Sequence, residues 1–317
     1  MRDDFGREIN YLRISLTDKC NLRCIYCMPE EGVTKLEHRD ILSFDEIIAI
    51  VREAAKLGIN KLRLTGGEPL IRRGVVDLIR ELKAIEGIEE IALTTNGSLL
   101  TKLAKPLKEA GVQRLNISLD TLDPVKYKKM TRVGNLDDTL NGIRAAVEAG
   151  LGPIKINSVL IGGFNDDEIE NMVGLTRKYP IEMRYIELMP IGDTHIFGEE
   201  AYIPCETVLQ RCPDLVPLPQ DNGVAARYQI PGAPGTVGLI RPLSCSFCDR
   251  CCRMRLTADG YLKPCLHSKE EILVRGLQGD ELRECLRRAI LRKPQEHGEL
   301  SAHSRSEADR NMNAIGG

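Results

Sequence analysis

Six short β-rich runs separated by helical patterns constrain this 317-residue chain more than any other feature. The runs lie at 12–16, 61–66, 88–96, 114–120, 154–161 and 182–188. In the clearest helical pattern, 43–57, Ser43 and Glu46 form a capping box, Ile47, Ile50, Val51 and Ala54 share one face, and Gly58 ends the helix. Val75, Leu78, Ile79 and Leu82 align in the same way over 75–85. Asn135 is placed to cap a helix reaching Ala149, and Asp166 or Asp167 to cap another ending near Lys178. Strand and helix alternating in this way call for an α/β fold with a parallel sheet and right-handed crossovers. Six units are too few for a closed eight-fold barrel. An open, partial barrel is expected, with its ligands at the carboxyl ends of the strands.

The pattern changes after Leu188. Residues 190–234 are rich in proline and glycine. Short strands are expected at 237–240, 255–257 and 261–263, the last two joined by the turn Asp259-Gly260. A final helix follows at 280–291, then a polar tail from Glu296. This divides the chain into a partial barrel over 1–225 and a β-rich C-terminal region over 226–317.

Chemistry enters with Cys20, Cys24 and Cys27, spaced C-x3-C-x2-C just after the first strand. Three such thiolates can hold three irons of a [4Fe–4S] cluster and leave the fourth open, whereas electron-transfer clusters use four cysteines. Buried structural thiols and zinc are the competing readings. A loop between a strand and a polar stretch is a poor core site, and the x3 gap does not match the paired C-x2-C units zinc prefers. Tyr26, just before the third cysteine, suits a flat ring lying beside a cluster. With Met28-Pro29 following, the motif resembles that of radical S-adenosylmethionine (SAM) enzymes. The resemblance implies the partial barrel, and a SAM that chelates the open iron and is reductively split to a 5′-deoxyadenosyl radical.

Composition narrows the partners. A net charge of −2 gives no global basic field for nucleic acid, and with no tryptophan and 4% aromatic residues there is no stacking platform. No run approaches the roughly 20 apolar residues a membrane span needs, and Met1-Arg2-Asp3-Asp4 opens no apolar signal. Eleven cysteines without an export signal argue for metal or catalysis rather than disulfides, and for the cytoplasm. Cys205, Cys212 and Cys285 are read as ordinary thiols.

A second triad, Cys248-x2-Cys251-x13-Cys265, lies near the far end. Taken alone it admits a zinc ribbon, with Cys245, Cys252 or His267 as fourth ligand. Arg253-x-Arg255 follows it; in a strand these two guanidinium groups face one way, with the fork geometry that grips phosphate. Arg13, Arg63, Lys155 and Arg184 fall in strands that otherwise bury apolar residues, so one polyanion in the barrel mouth is expected. Glu187 is the internal partner that competes for Arg184. Thr65-Gly66-Gly67-Glu68-Pro69 follows the second strand, where glycines let backbone approach a ligand closely.

Together, the second triad, the Arg-x-Arg pair and the terminal Gly316-Gly317 resemble the GTP 3′,8-cyclase family, which performs the first step of molybdenum cofactor synthesis. That resemblance implies two [4Fe–4S] clusters, on Cys20, Cys24 and Cys27 and on Cys248, Cys251 and Cys265. It assigns Tyr26, Gly67, Thr94, Ser118 and Met189 to SAM, and Arg13, Arg63, Lys155, Arg253, Met254 and Arg255 to GTP. Arg13, Arg253, Arg255, Gly316 and Gly317 are implied for catalysis. It further implies an external one-electron reductant and a downstream cyclic pyranopterin monophosphate synthase, and allows a homodimer. A radical SAM enzyme that modifies a peptide and carries an auxiliary cluster is the nearest rival.

Overall fold

The structure, a computed structural model, describes residues 1–32, 36–191, 194–220, 223–301, 304 and 306–316; Gly317 lies outside the described residues. The six expected strands are present as β1 (Tyr11–Ser15), β2 (Lys61–Thr65), β3 (Glu90–Thr95), β4 (Arg114–Ser118), β5 (Ile154–Leu160) and β6 (Ile181–Glu187). Helices cross between them: α1 (Phe44–Lys56), α2 (Val75–Lys83), α3 (Leu100–Ala110), α4 (Pro124–Thr131), α5 (Leu136–Glu148) and α6 (Ile169–Lys178).

Local chemistry sets the helix starts. Both halves of the Ser43–Glu46 capping box form, and the Asn135 side chain accepts from the Asp137 N–H. Neither Asp166 nor Asp167 caps α6. The Asp166 carboxylate accepts the Gly163 N–H instead, and Asp167 pairs with Lys126 at 2.6 Å. Helix α4 was not expected. It begins at Asp123, whose carboxylate accepts two N–H groups, followed by Pro124 at the first helical position.

The C-terminal residues extend the same sheet at both edges. They and the preceding loop supply α7 (Glu206–Arg211), β7 (Val216–Pro217), β8 (Ala226–Gln229), β9 (Thr236–Ile240), β10 (Arg253–Leu256), β11 (Tyr261–Lys263), β12 (Ile272–Leu273), α8 (Gly279–Leu291) and α9 (Met312–Ile315). The strand order is β12-β11-β10-β1-β2-β3-β4-β5-β6-β9-β8-β7. β10 runs parallel to β1, and β9 parallel to β6. Antiparallel partners lie outside them on each side, β11 and β12 beyond β10, β8 and β7 beyond β9. The sheet is therefore open, its parallel run flanked by antiparallel strands rather than joined to itself.

Alternation along each strand sorts the side chains. Leu12 and Ile14, Leu62 and Leu64, Ile91 and Leu93, Leu115 and Ile117 are buried toward the helices. The residues between them face the other side, and nearly all the candidate site residues fall there.

Candidate active site

The first triad leaves the carboxyl end of β1 and is held mainly by main-chain bonds. Gly67 N–H donates to Thr17 O at 2.7 Å and Glu68 N–H to Lys19 O at 2.8 Å. A Cβ on Gly67 would run into the Lys19 carbonyl, and one on Gly66 would lie 2.6 Å from Thr17 O. The glycines thus permit close approach to the cysteine loop itself, which is where sequence reasoning had put a ligand. Glu68 is 1% exposed and locks this corner. Its carboxylate accepts from Leu70 N–H, Thr95 Oγ1 and Asn96 N–H at 2.8–3.0 Å. On the far side, Arg23 and Ile25 N–H donate to Thr131 and Met130 O, and Arg132, at φ 61°, donates to Arg23 O and Met28 O.

Within that frame the thiols resist ionisation. Burial, then the neighbouring Cys27, pushes Cys24 well up, and burial, then Cys20, pushes Cys27 up to about 12. Cys20 is raised by burial, with Leu22 N–H and Asn96 Nδ2 facing its sulfur. Three crowded thiols that oppose one another's charge form a donor set that a cationic iron–sulfur core relieves. Among the described residues, no trio of His, Cys, Asp or Glu side chains gathers around one point as a single metal ion would need; a cubane instead spreads three sulfurs over three irons. The Tyr26 hydroxyl donates to Asp120 Oδ2 at 2.9 Å, and burial pushes the Asp120 carboxyl up to about 6. A small cleft joins Cys24, Tyr26, Ser118, Asp120 and Met130.

The second triad sits at the opposite end of the sheet. Cys251 and Cys252 immediately precede β10, whose Arg253 is level with Tyr11, the first residue of β1. Cys265 follows β11, which returns antiparallel from Lys263 opposite Arg255. The five residues of β1 span roughly 17 Å, so the two triads flank the length of the strand. Here cations set the thiol chemistry. Burial raises Cys251, but Arg253 and Lys293 more than reverse this and hold it at about 6. Cys245 is exposed, while Cys252 gives its carbonyl to Tyr11 N–H. His267 is bonded to Ser306 through Nδ1, and burial beside His297 lowers it to about 3.

Between the triads the inner face is strongly cationic. Arg255, Arg13 and Arg63 stand in one register row across β10, β1 and β2. Arg13 makes no hydrogen bond or ion pair among the described residues, and its Nε is buried without a partner. Burial, then Arg255, pulls it well below its usual range, and burial, then Arg253, brings Arg255 to about 10. Arg63 donates to the Tyr11 hydroxyl and to Thr94 Oγ1 at 3.3 Å. Lys155 and Arg184 both bond Glu182, Lys155 at 2.9 Å. That corrects the expectation for Arg184. Glu187 faces the helix side and accepts from Leu243 N–H and Ser244 instead.

Two further placements matter. The Met254 side chain pairs in register with Leu12 and is buried against the helix layer, so it faces away from the cations. Only its main chain can meet a ligand on the inner face. The tail enters from the other direction. The Asn313 side chain donates to Asp18 O at 3.2 Å, Arg255 donates to Gly316 O, and Gly316 has φ 78°. A Cβ at Gly316 would collide with Thr65 Oγ1. Met189 lies just past β6.

Sequence reasoning missed Asn116 and Asn157, whose Oδ1 atoms are buried without partners. It also missed the cation Arg114 and the counter-charge Glu182. The period-two rule applied to Arg253 and Arg255 finds them, since Asn116 lies two residues from Ser118 and Asn157 two from Lys155.

Residues 14–176 match the Radical SAM superfamily and residues 181–299 match Molybdenum Cofactor Synthesis C. The chain is 49% identical over 322 residues to the GTP 3′,8-cyclase of Alkaliphilus oremlandii, covering 100% of both. It is 51% identical over 307 residues to that of Moorella thermoacetica, covering 94% of this chain and 95% of the relative. Among solved structures, Streptococcus suis SuiB bound to S-adenosylmethionine aligns with a TM-score of 0.64 at 16% identity, over 97% of this chain and 77% of that one. anSMEcpe with bound AdoMet gives 0.58 at 14%, over 90% and 81%. At these identities the structures share the fold.

Proposed function

The chain belongs to the GTP 3′,8-cyclase family of the radical SAM superfamily, and we propose from that premise how its own residues carry out the reaction. It is a radical SAM enzyme that converts GTP to 3′,8-cyclo-7,8-dihydro-GTP, the first step of molybdenum cofactor biosynthesis. We read it as a lyase of the radical SAM class. The observation that carries the assignment of residues is the inner face: Arg13, half-buried with its Nε enclosed and without an acidic partner among the described residues, flanked by the buried Arg63 and Arg255 between two thiol triads. Uncompensated buried cations are costly unless an anion completes them, and a triphosphate does so. A peptide substrate gives no reason for a face this cationic.

Cys20, Cys24 and Cys27 hold a [4Fe–4S] cluster, and Cys248, Cys251 and Cys265 hold a second. When bound, the first cluster and SAM would supply, for one electron, hydrogen-atom abstraction at the ribose C3′ of GTP, and closure of that carbon on C8 would take a further electron and a proton, the electron coming from the external donor. The chain's part is placement. Tyr26, the main chain at Gly67, Thr94, Ser118 and Met189 line the SAM position at the carboxyl ends of the strands. Arg13, Arg63, Lys155, Arg253, Arg255 and the main chain of Met254 hold GTP in line between the triads. Because Glu182 already balances part of the charge of Lys155 and Arg184, the Arg13 row takes the larger share of phosphate charge. Gly316 brings its main-chain groups where any side chain would meet Thr65 and excludes water there, and Gly317, which lies outside the described residues, is read as acting with it.

All eleven cysteines are free thiols, which fits a reducing, cytoplasmic setting. An external one-electron donor, a downstream cyclic pyranopterin monophosphate synthase and a homodimeric assembly complete the reading. No helix among the described residues is long and apolar enough to cross a membrane. The test is an anaerobic assay of reconstituted protein with SAM, dithionite and GTP, following 5′-deoxyadenosine and nucleotide by chromatography. Both products appearing together support the reading. 5′-Deoxyadenosine with GTP unchanged overturns the substrate assignment, and no SAM cleavage by iron-loaded protein overturns the chemistry.

A further inference from the structure

The second triad is held on two limbs of chain, the turn 248–251 and the end of β11 at Cys265, and one short segment beyond α8 joins both. Lys293 is 3% exposed. Its ammonium donates to Arg253 O at 2.9 Å and to Pro264 O at 2.7 Å. Arg253 lies two residues past Cys251, and Pro264 immediately precedes Cys265, so one side chain ties two cysteine limbs together. The start of the 248–251 turn is tied by Arg7, which donates to Cys248 O at 2.8 Å and to the carbonyls of Pro294 and Gln295.

The two cations differ in one respect. Arg7 is neutralised by Asp3 at 2.7 Å. Lys293 has two neutral carbonyls and no carboxylate partner among the described residues. An ammonium has three donors and a full charge, and burying it uncompensated is costly. The nearest groups able to carry compensating negative charge are the thiols it holds in place. Three thiolates on a dicationic cubane leave a net negative assembly, which matches that demand.

We propose that Lys293 is the positioning residue and counter-ion of the second cysteine site, fastening the Cys251 and Cys265 limbs and supplying the positive charge that an anionic iron–sulfur cluster there requires. This rests on the reading that the second triad holds a cluster. Its consequence is redox tuning: a fixed buried cation favours the more negative, reduced state, and its removal lowers the potential.

The test uses the full chain with Cys20, Cys24 and Cys27 changed to serine, so that iron reports the second site alone. In that background Lys293→Met is expected to lose cluster absorbance to an anaerobic chelator about tenfold faster. Its midpoint by EPR-monitored titration is expected to fall by about 59 mV, the one-electron equivalent of tenfold. Lys293→Arg, which keeps the charge, is expected to stay near the parent potential. Lys293→Gln keeps a donor without charge and carries the same potential test where the methionine variant does not fold. Unchanged potential and loss rate in the uncharged variants overturn the proposal. A parent with Lys293 intact that takes up no iron, or takes zinc in its place, overturns the reading of the site itself.

Discussion

The two cysteine triads occupy opposite ends of one sheet and are held by opposite means. The first is framed mainly by main-chain bonds from the Gly66-Gly67 corner and the end of α4, with Arg23 and Arg132 bonded to carbonyls of the cysteine loop, and its thiols are pushed up. The second is framed by cations, the buried Arg7 and Lys293 and the half-buried Arg253, and Cys251 is pulled down to about 6. The difference teaches where this fold stores its positive charge. It lies along the inner face and toward the amino ends of the strands, away from the place where a sulfonium-bearing SAM would sit. A cationic co-substrate and an anionic substrate are thereby assigned different ends of the same cavity.

The contrast breaks most sharply by removing one sulfur from each end. Cys24→Ser is expected to reduce 5′-deoxyadenosine formation to background. Cys251→Ser is expected to retain it while losing the cyclised nucleotide, and chromatography of both products reads the difference. Next in size is the pH dependence of thiol alkylation in metal-free protein. With Cys251 near 6, its thiolate is formed above that pH, so labelling should rise to a plateau by about pH 7. Cys27, near 12, should stay unlabelled until strongly alkaline pH, and peptide mapping by mass spectrometry checks both.

Arg13→Met tests the charge of the middle ground. GTP affinity is expected to fall about 10- to 100-fold, read by calorimetry, since charge-assisted bonds are worth about 1.5–3 kcal/mol. In the absence of GTP the same variant is expected to melt no lower than the parent, because it relieves repulsion from Arg255 and Arg63. Gly67→Ala must displace the Lys19 carbonyl and is expected to cost about 1–3 kcal/mol by thermal melt, with iron lost from the first site alone. The smallest effect belongs to Arg132→Gly. It removes a positive-φ strain while losing bonds to Arg23 O and Met28 O, so stability should stay within about 1 kcal/mol.

Much of this was legible in the chain. The capping box at Ser43, the six strands and the Arg253-x-Arg255 pair follow from local spacing, because backbone geometry repeats every 3.6 or 2 residues and side chains obey it. The cysteine triads were legible because ligands close in sequence need no tertiary information to be found together. The cap of α6 was misread because three acidic residues in a row each have the chemistry to cap, and competing bonds to Gly163 and Lys126 decided among them.

By itself, then, the sequence determined the strand–helix units, the two sets of thiols and the alternation that turns Arg13, Arg63 and Lys155 to one face. The tertiary structure alone decided the rest. It put β10 beside β1, which brings Arg255 level with Arg13 across about 240 residues of chain and separates the triads by the length of a strand. It chose Glu182 over Glu187 as the partner of Arg184, drew the tail back to Arg255, and made Lys293 the tie between limbs. Those contacts join residues far apart in the chain, and their energies depend on burial and charge that no local pattern encodes.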